Sequence, residues 1–152
     1  MKIVEFLRFD AVIANLSGAT GPAVLAELCR PLAAACKMDS QKLLDTLLER
    51  EKLGSTGIGE GVAIPHGKVP GLPGLIASFG RAPQGIDFRA IDGRPTVLFF
   101  ALFAPENSAG AHLKALARIS RIFKNPAFRE AILRAQTAEE IYKLIEAEDA
   151  KY

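Results

Sequence analysis

The chain has 152 residues, 49% of them hydrophobic and 24% charged, with a formal net charge of +2. That balance supports a packed core and excludes wholesale disorder. It gives no reason to expect a nucleic-acid partner, because Lys and Arg are interspersed with acids rather than gathered in a block.

Met1–Asp10 carries Glu5 and Asp10 and lacks a basic stretch followed by an apolar core, so no secretory leader is expected. No run of about 18 apolar residues occurs, so no membrane insertion is expected and a cytoplasmic location is. A first helix follows Thr20, which can cap it, with Gly21 and Pro22 leading in. Val24, Leu25, Leu28 and Leu32 keep helical spacing, and Pro31 is expected to kink or divide the run. Cys29 and Cys36 have no histidine beside them and read as reduced, buried thiols. A second helix is expected from Asp39 or Ser40 to about Lys52, with Leu43, Leu44, Leu47 and Leu48 on one side.

Between Gly54 and Gly74 the composition changes to seven glycines and three prolines in 21 residues, which predicts a shaped loop. Strand-like runs follow at Leu75–Phe79 and Thr96–Ala104, with a short edge strand at Ile86–Phe88 between them. TVLFFALFA is apolar at both alternating sets of positions, the pattern of a central strand covered on both sides. Three helices close the chain, capped at Asn107 or Ser108, at Asn125 ahead of Pro126, and at Thr137 with Glu140 in capping-box spacing. Helices, then strands, then helices imply an α/β fold, a small mixed β-sheet sandwiched between helices, as a single domain over residues 1–152.

The chemistry-bearing residues are few. The only histidines are His66 and His112. His66 sits in Gly61-Val62-Ala63-Ile64-Pro65-His66-Gly67-Lys68, where Pro65 stiffens the backbone and Gly61 and Gly67 relax it. An imidazole held there is either a nucleophile, neutral for much of the time near pH 7, or a solvent-facing residue with no role. His112 falls on the stripe of Leu116, Ile119 and Phe123 in the second turn of its helix, with Lys114, Arg118 and Arg121 pointing away. It is either a satisfied core residue or one wall of a site near the positive end of a helix dipole. Upstream, Arg50 offers a guanidinium fork, Ser55 and Thr56 hydroxyls, and Gly57 a backbone amide. Such groups suit phosphoryl transfer, which is mainly positioning and charge stabilisation. The nucleotide motifs fail: Gly57-x-Gly59-x-Gly61 has the wrong spacing for a dinucleotide fingerprint, and a P-loop would need glycine where Val62 stands.

The stretch REKLGSTGIGEGVAIPHGK, Arg50 to Lys68, resembles the active-site segment of bacterial phosphotransferase-system enzyme IIA proteins of the fructose/mannitol type, most closely the nitrogen-regulatory branch. The likeness continues through Ile86-Asp87-Phe88, Asp92-Gly93-Arg94-Pro95, the strand ending at Pro105, and His112-Leu113. The resemblance implies an enzyme IIA type-2 domain in which His66 accepts a phosphoryl group from a phosphohistidine on an HPr-like phosphocarrier protein. It also implies that His112 assists by hydrogen bonding, that Arg50 steadies the phosphoryl group, and that neither metal nor cofactor is needed. Regulatory or transport target proteins would then distinguish the phosphorylated from the free form. The added charge of roughly −1.5 to −2 would act at a docking face containing Ile58, Val62, Lys68 and Val69, pictured as an exposed apolar rim. Two other functions remain open: a sugar-uptake enzyme IIA that hands the phosphoryl group to a IIB partner, and a non-catalytic binding module with a structural His66.

Overall fold

The computed structural model describes every residue, Met1–Tyr152. In chain order the elements are β1 (Leu7–Ile13), α1 (Gly21–Cys36), α2 (Ser40–Lys52), β2 (Gly57–Gly59), β3 (Val62–Ala63), β4 (His66–Lys68), β5 (Ile76–Ile86), β6 (Thr96–Ala104), α3 (Ala109–Phe123), α4 (Pro126–Arg134) and α5 (Ala138–Asp149). They form a six-stranded mixed sheet in the order β1-β5-β6-β3-β2, with β4 also paired to β6.

β6 is the spine of the sheet, as its uniformly apolar sequence requires. Leu98, Phe100 and Leu102 face one core with Ala115, Ile119, Ile122 and Phe123 of α3 and with residues of α4 and α5. Phe99, Ala101 and Phe103 face a second core with Leu25, Leu28 and Leu32 of α1 and Leu43 and Leu47 of α2. Two-residue alternation thus sends one strand's side chains into two cores and gives a helix–sheet–helix sandwich.

Several elements differ from their sequence-based expectation. The sheet contains an N-terminal strand, β1, parallel to β5, so a strand precedes the first α-helix. Its apolar alternation is interrupted by the Arg8–Asp10 ion pair and by Phe9, which is exposed and packs edge-on against Tyr142. Pro31 does not divide α1, which runs unbroken to Cys36 because Leu28, Cys29 and Leu32 are all anchored in the second core. The expected strands at Leu75–Phe79 and Ile86–Phe88 are replaced by one strand, β5, that ends at Ile86 and shifts register after Arg81. Apolar patterning breaks there because Arg81 is buried, its guanidinium donating to the carbonyls of Ala14, Ile132, Leu133 and Ala135. Arg118 does not point to solvent either: it pairs with the buried carboxylate of Asp149 at 2.7 Å.

The helix starts follow their caps. Thr20, Asp39, Asn125 and Thr137 each accept a first-turn amide, whereas the Ser108 hydroxyl donates to the Pro105 carbonyl and leaves α3 without a side-chain cap. Half the capping box at Thr137 is made, and the Glu140 carboxylate instead accepts the Gln136 amide.

Candidate functional site

The glycine-rich segment is not a free loop. β3 and β4 both lie parallel to β6, with Val62 opposite Leu98 and His66 opposite Leu102, so both keep one register across Ile64-Pro65. The Pro65 carbonyl accepts the Leu102 amide at 2.9 Å within that interval. Alternation along this path decides where each side chain goes. Val62 and Ile64 join the core under α3–α5, and His66, two positions on, lies on that same face. Gly67 faces α2, where a Cβ would come within 2.4 Å of Thr46 Cγ2. Gly67 is required for close approach, while Gly61, at φ +78°, is required for its backbone conformation.

His112 reaches the same place by another route. β6 ends at Ala104, and the Pro105–Ser108 turn leads into α3, placing His112 just past the first turn. The rings of His66 and His112 meet edge to face with centroids 5.4 Å apart. The strand that pairs with β4 therefore also launches the helix that brings the second imidazole.

The hydrogen bonds define the chemistry of each ring. His66 Nδ1 lies 2.6 Å from the Ile64 carbonyl oxygen, which can only accept, so Nδ1 carries the proton and Nε2 the lone pair. His112 is nearly buried, and its Nε2 has no hydrogen-bond partner. Burial, chiefly, pulls the His66 pKa below its ordinary value; the Arg50 charge adds to this, against the opposing Ile64 hydrogen bond. Burial likewise lowers the His112 pKa, followed by the charges of His66 and Lys68. Both rings are therefore held toward the neutral state.

Arg50, in the last turn of α2, donates from Nη1 to the Gly54 carbonyl at 2.8 Å. The Ser55 hydroxyl donates to the Phe88 carbonyl at 2.6 Å and accepts the Gly57 amide at 3.0 Å. Thr56 is buried, its hydroxyl and amide both directed to the Glu51 carboxylate. The Arg50 charge lowers the His66 pKa, while Ser55, Thr56 and Gly57 are bonded to one another or to neighbouring protein groups.

The expected exposed rim needs correction. Val62 is 1% exposed and Val69 5%, so neither offers a surface to a partner. Their loop-like surroundings suggested exposure, but the alternation of β3 and the packing of Val69 against the second core bury them. Ile58, at 41%, and Lys68 remain accessible. Leu113, at 68%, adds an exposed apolar side chain next to His112. Its signal in the sequence was positional: the residue after a stripe residue is turned about 100° out of the core. Glu51 was also missed, because an acid in the last turn of an amphipathic helix reads as solvated.

No group of three or more His, Cys, Asp and Glu side chains converges to hold a metal ion, and no helix is long and apolar enough to cross a membrane. Two clefts, of about 320 and 290 Å³, lie beside Glu60 and Arg129 and include neither His66, His112 nor Arg50.

With that geometry in view, the relatives agree on one lineage. A nitrogen regulatory protein of Bradyrhizobium diazoefficiens is 37% identical over 145 residues, covering 95% of each chain. The fructose-specific EIIABC component of the phosphotransferase system of Bacillus subtilis is 35% identical over 150 residues, covering 98% of this chain and 24% of that longer protein. The crystal structure of the nitrogen regulatory protein IIA-Ntr from Neisseria meningitidis superposes with a TM-score of 0.88 at 32% identity, covering 94% of this chain and 98% of that one. Residues 5–148 match the family described as phosphoenolpyruvate-dependent sugar phosphotransferase system, EIIA 2. The chain belongs to that EIIA 2 family, a phosphotransfer component of the phosphotransferase system, with relatives among its nitrogen regulatory proteins.

Proposed function

We propose that this protein is a regulatory phosphoryl carrier that accepts its phosphoryl group on Nε2 of His66. The observation that carries the reading is the Nδ1 hydrogen bond to the Ile64 carbonyl, which turns the lone pair of a neutral imidazole onto Nε2 beside His112. In the transfer, the P–N bond of a phosphohistidine on an HPr-like phosphocarrier protein breaks as a P–Nε2 bond forms on His66. The donor imidazole recovers the electron pair of its broken bond, and no oxidant or reductant is involved. His112, with its proton on the otherwise unpartnered Nε2, donates to a phosphoryl oxygen, and the Arg50 guanidinium offsets the developing charge. Ser55, Thr56 and Gly57 contribute by holding the turn between Arg50 and β3. The reaction uses no metal and no cofactor.

A macromolecular donor needs accessible surface around His66, because two carriers must bring their imidazoles to one phosphorus. Ile58, Lys68 and Leu113 supply the accessible apolar and basic surface for docking, and the phosphorylated and free forms bind different regulatory or transport targets in the cytoplasm. The single enzyme IIA domain over residues 1–152 is the carrier unit. Incubation with phosphoenolpyruvate, enzyme I and an HPr-like carrier is expected to place acid-labile phosphate on His66. Uptake by a His66→Ala variant at the wild-type rate would reject the assignment.

The similar identity to a fructose-specific component, 35% against 37%, favours one second reading, delivery of the phosphoryl group to a sugar-specific IIB partner. Phosphorylation of a sugar on addition of candidate IIB proteins would replace the regulatory role with uptake.

A further inference from the structure

We propose that Glu51 is a positioning residue for His66, acting through Thr56 and Ile64 to fix which ring nitrogen carries the proton. The inference rests on the carrier reading and extends it to a residue outside the histidine pair.

The links are continuous. The Glu51 carboxylate accepts the Thr56 hydroxyl and, at 3.2–3.3 Å, the Thr56 amide. The Thr56 carbonyl accepts the Ile64 amide at 3.0 Å. The Ile64 carbonyl, across the same residue, accepts His66 Nδ1–H at 2.6 Å. Each bond orients the group that makes the next, and the last selects the tautomer. The Ile64 residue has little freedom to relax, since its side chain is buried and the next carbonyl, of Pro65, is bonded to Leu102.

Glu51 stands where helix physics alone would not put it. It is in the last turn of α2, where the helix dipole disfavours an anion, and the carboxylate's hydrogen bonds all go to Thr56. Burial raises its pKa, so the folded protein holds the charged form at a cost. An exposed acid in that turn would avoid the burial penalty. What the position supplies is a fixed anchor for the Gly54–Thr56 reversal, five residues away, and hence for the carbonyl beneath the reactive ring.

The test reads the tautomer directly. Nitrogen-15 NMR of the His66 ring at pH 8, with no phosphoryl donor present, is expected to show the proton on Nδ1 in the wild type. Glu51→Ala is expected to shift the population toward Nε2–H and to slow phosphoryl uptake on the order of 10-fold, the scale of losing an outer hydrogen-bonding shell. Glu51→Gln retains an acceptor for Thr56 and should recover most of both signals, a rescue that loss of helix packing would not follow. Thr56→Val deletes only the hydroxyl link and should move the tautomer in the same direction by less. An Nδ1–H population unchanged in Thr56→Val and in any folded Glu51→Ala sample overturns the proposal. Because tautomer and transfer are read separately, a wild type that takes no phosphate on His66 rejects the carrier reading without bearing on the relay.

Discussion

β6 and residues 54–68 run side by side yet are held by different forces. β6 is fixed by apolar contact on both faces: Phe79, Phe100 and Phe123 pack within 6.2 Å of one another by ring centroid, and Phe99 stacks edge-on with Phe88 at 5.2 Å. The neighbouring segment pairs with β6 through β3 and β4 and buries Val62, Ala63 and Ile64, but its turns and its histidine are set by single polar bonds, from Thr56 to Glu51, Ser55 to Phe88, Ile64 to Thr56 and His66 to Ile64. Apolar burial is large and tolerant of small displacements, whereas one hydrogen bond is small and directional. The molecule thus derives its stability from one segment and the aim of its reactive nitrogen from the other.

If that division is right, the largest loss of stability belongs to β6. Phe100→Ala should cost about 3–5 kcal/mol by leaving a cavity between β6 and α3. Chemical denaturation would measure it, and phosphoryl uptake per folded molecule should stay near wild type. A loss of uptake much greater than the loss of folded protein would break the contrast, because packing would then be setting the geometry of His66.

Gly67→Ala makes the opposite test at smaller cost. The added Cβ meets Thr46 Cγ2 at 2.4 Å, and Thr46 is held by its hydroxyl bond to the Lys42 carbonyl, so either that bond breaks or β4 and α2 move apart. A destabilisation of about 1–3 kcal/mol is expected, with a disproportionate fall in uptake because His66 is the next residue. Thr46→Ala, which deletes Cγ2, should restore both in the double variant. Failure of that rescue would mean that Gly67 is needed for some reason other than contact with α2.

The same contrast explains what could be read from sequence. β6 was legible to the residue because nine successive apolar or β-branched positions admit no other placement in a sandwich. The stripe that carries His112 was legible for a related reason, the helical spacing of Leu116, Ile119 and Phe123. β1 was not, since Arg8, Asp10 and an exposed Phe9 break its alternation and only pairing to β5 makes it a strand. At the site, Pro65 and the flanking glycines singled out His66, but their abundance concealed β2, β3 and β4. It also made Val62 and Val69 look exposed, although the shared register along β6 buries Val62. Glu51 was illegible because its partner lies across a chain reversal that no periodicity describes.

The smallest expected effect is a pH dependence that reports on the two imidazoles. His66 and His112 both have folded-state pKa values lowered from 6.5, mainly by burial. The unfolded chain therefore binds protons at a higher pH than the folded one does. Their contribution is fully present above about pH 6.5 and is lost as pH falls from there toward the lowered values, since stability drops wherever the unfolded state takes up more protons. Glu51 acts with the opposite sign, its raised pKa adding stability as pH falls through that value. A direct comparison with a His66→Asn/His112→Asn variant removes the Glu51 contribution, because both proteins carry it. Between pH 7.5 and 5.5 the wild type should lose more stability in urea titrations than the variant, with the gap opening below about pH 6.5. Parallel curves would mean that the two imidazoles are as easily protonated in the folded protein as in the unfolded chain. The neutral His66 required for attack at Nε2 would then owe nothing to its surroundings.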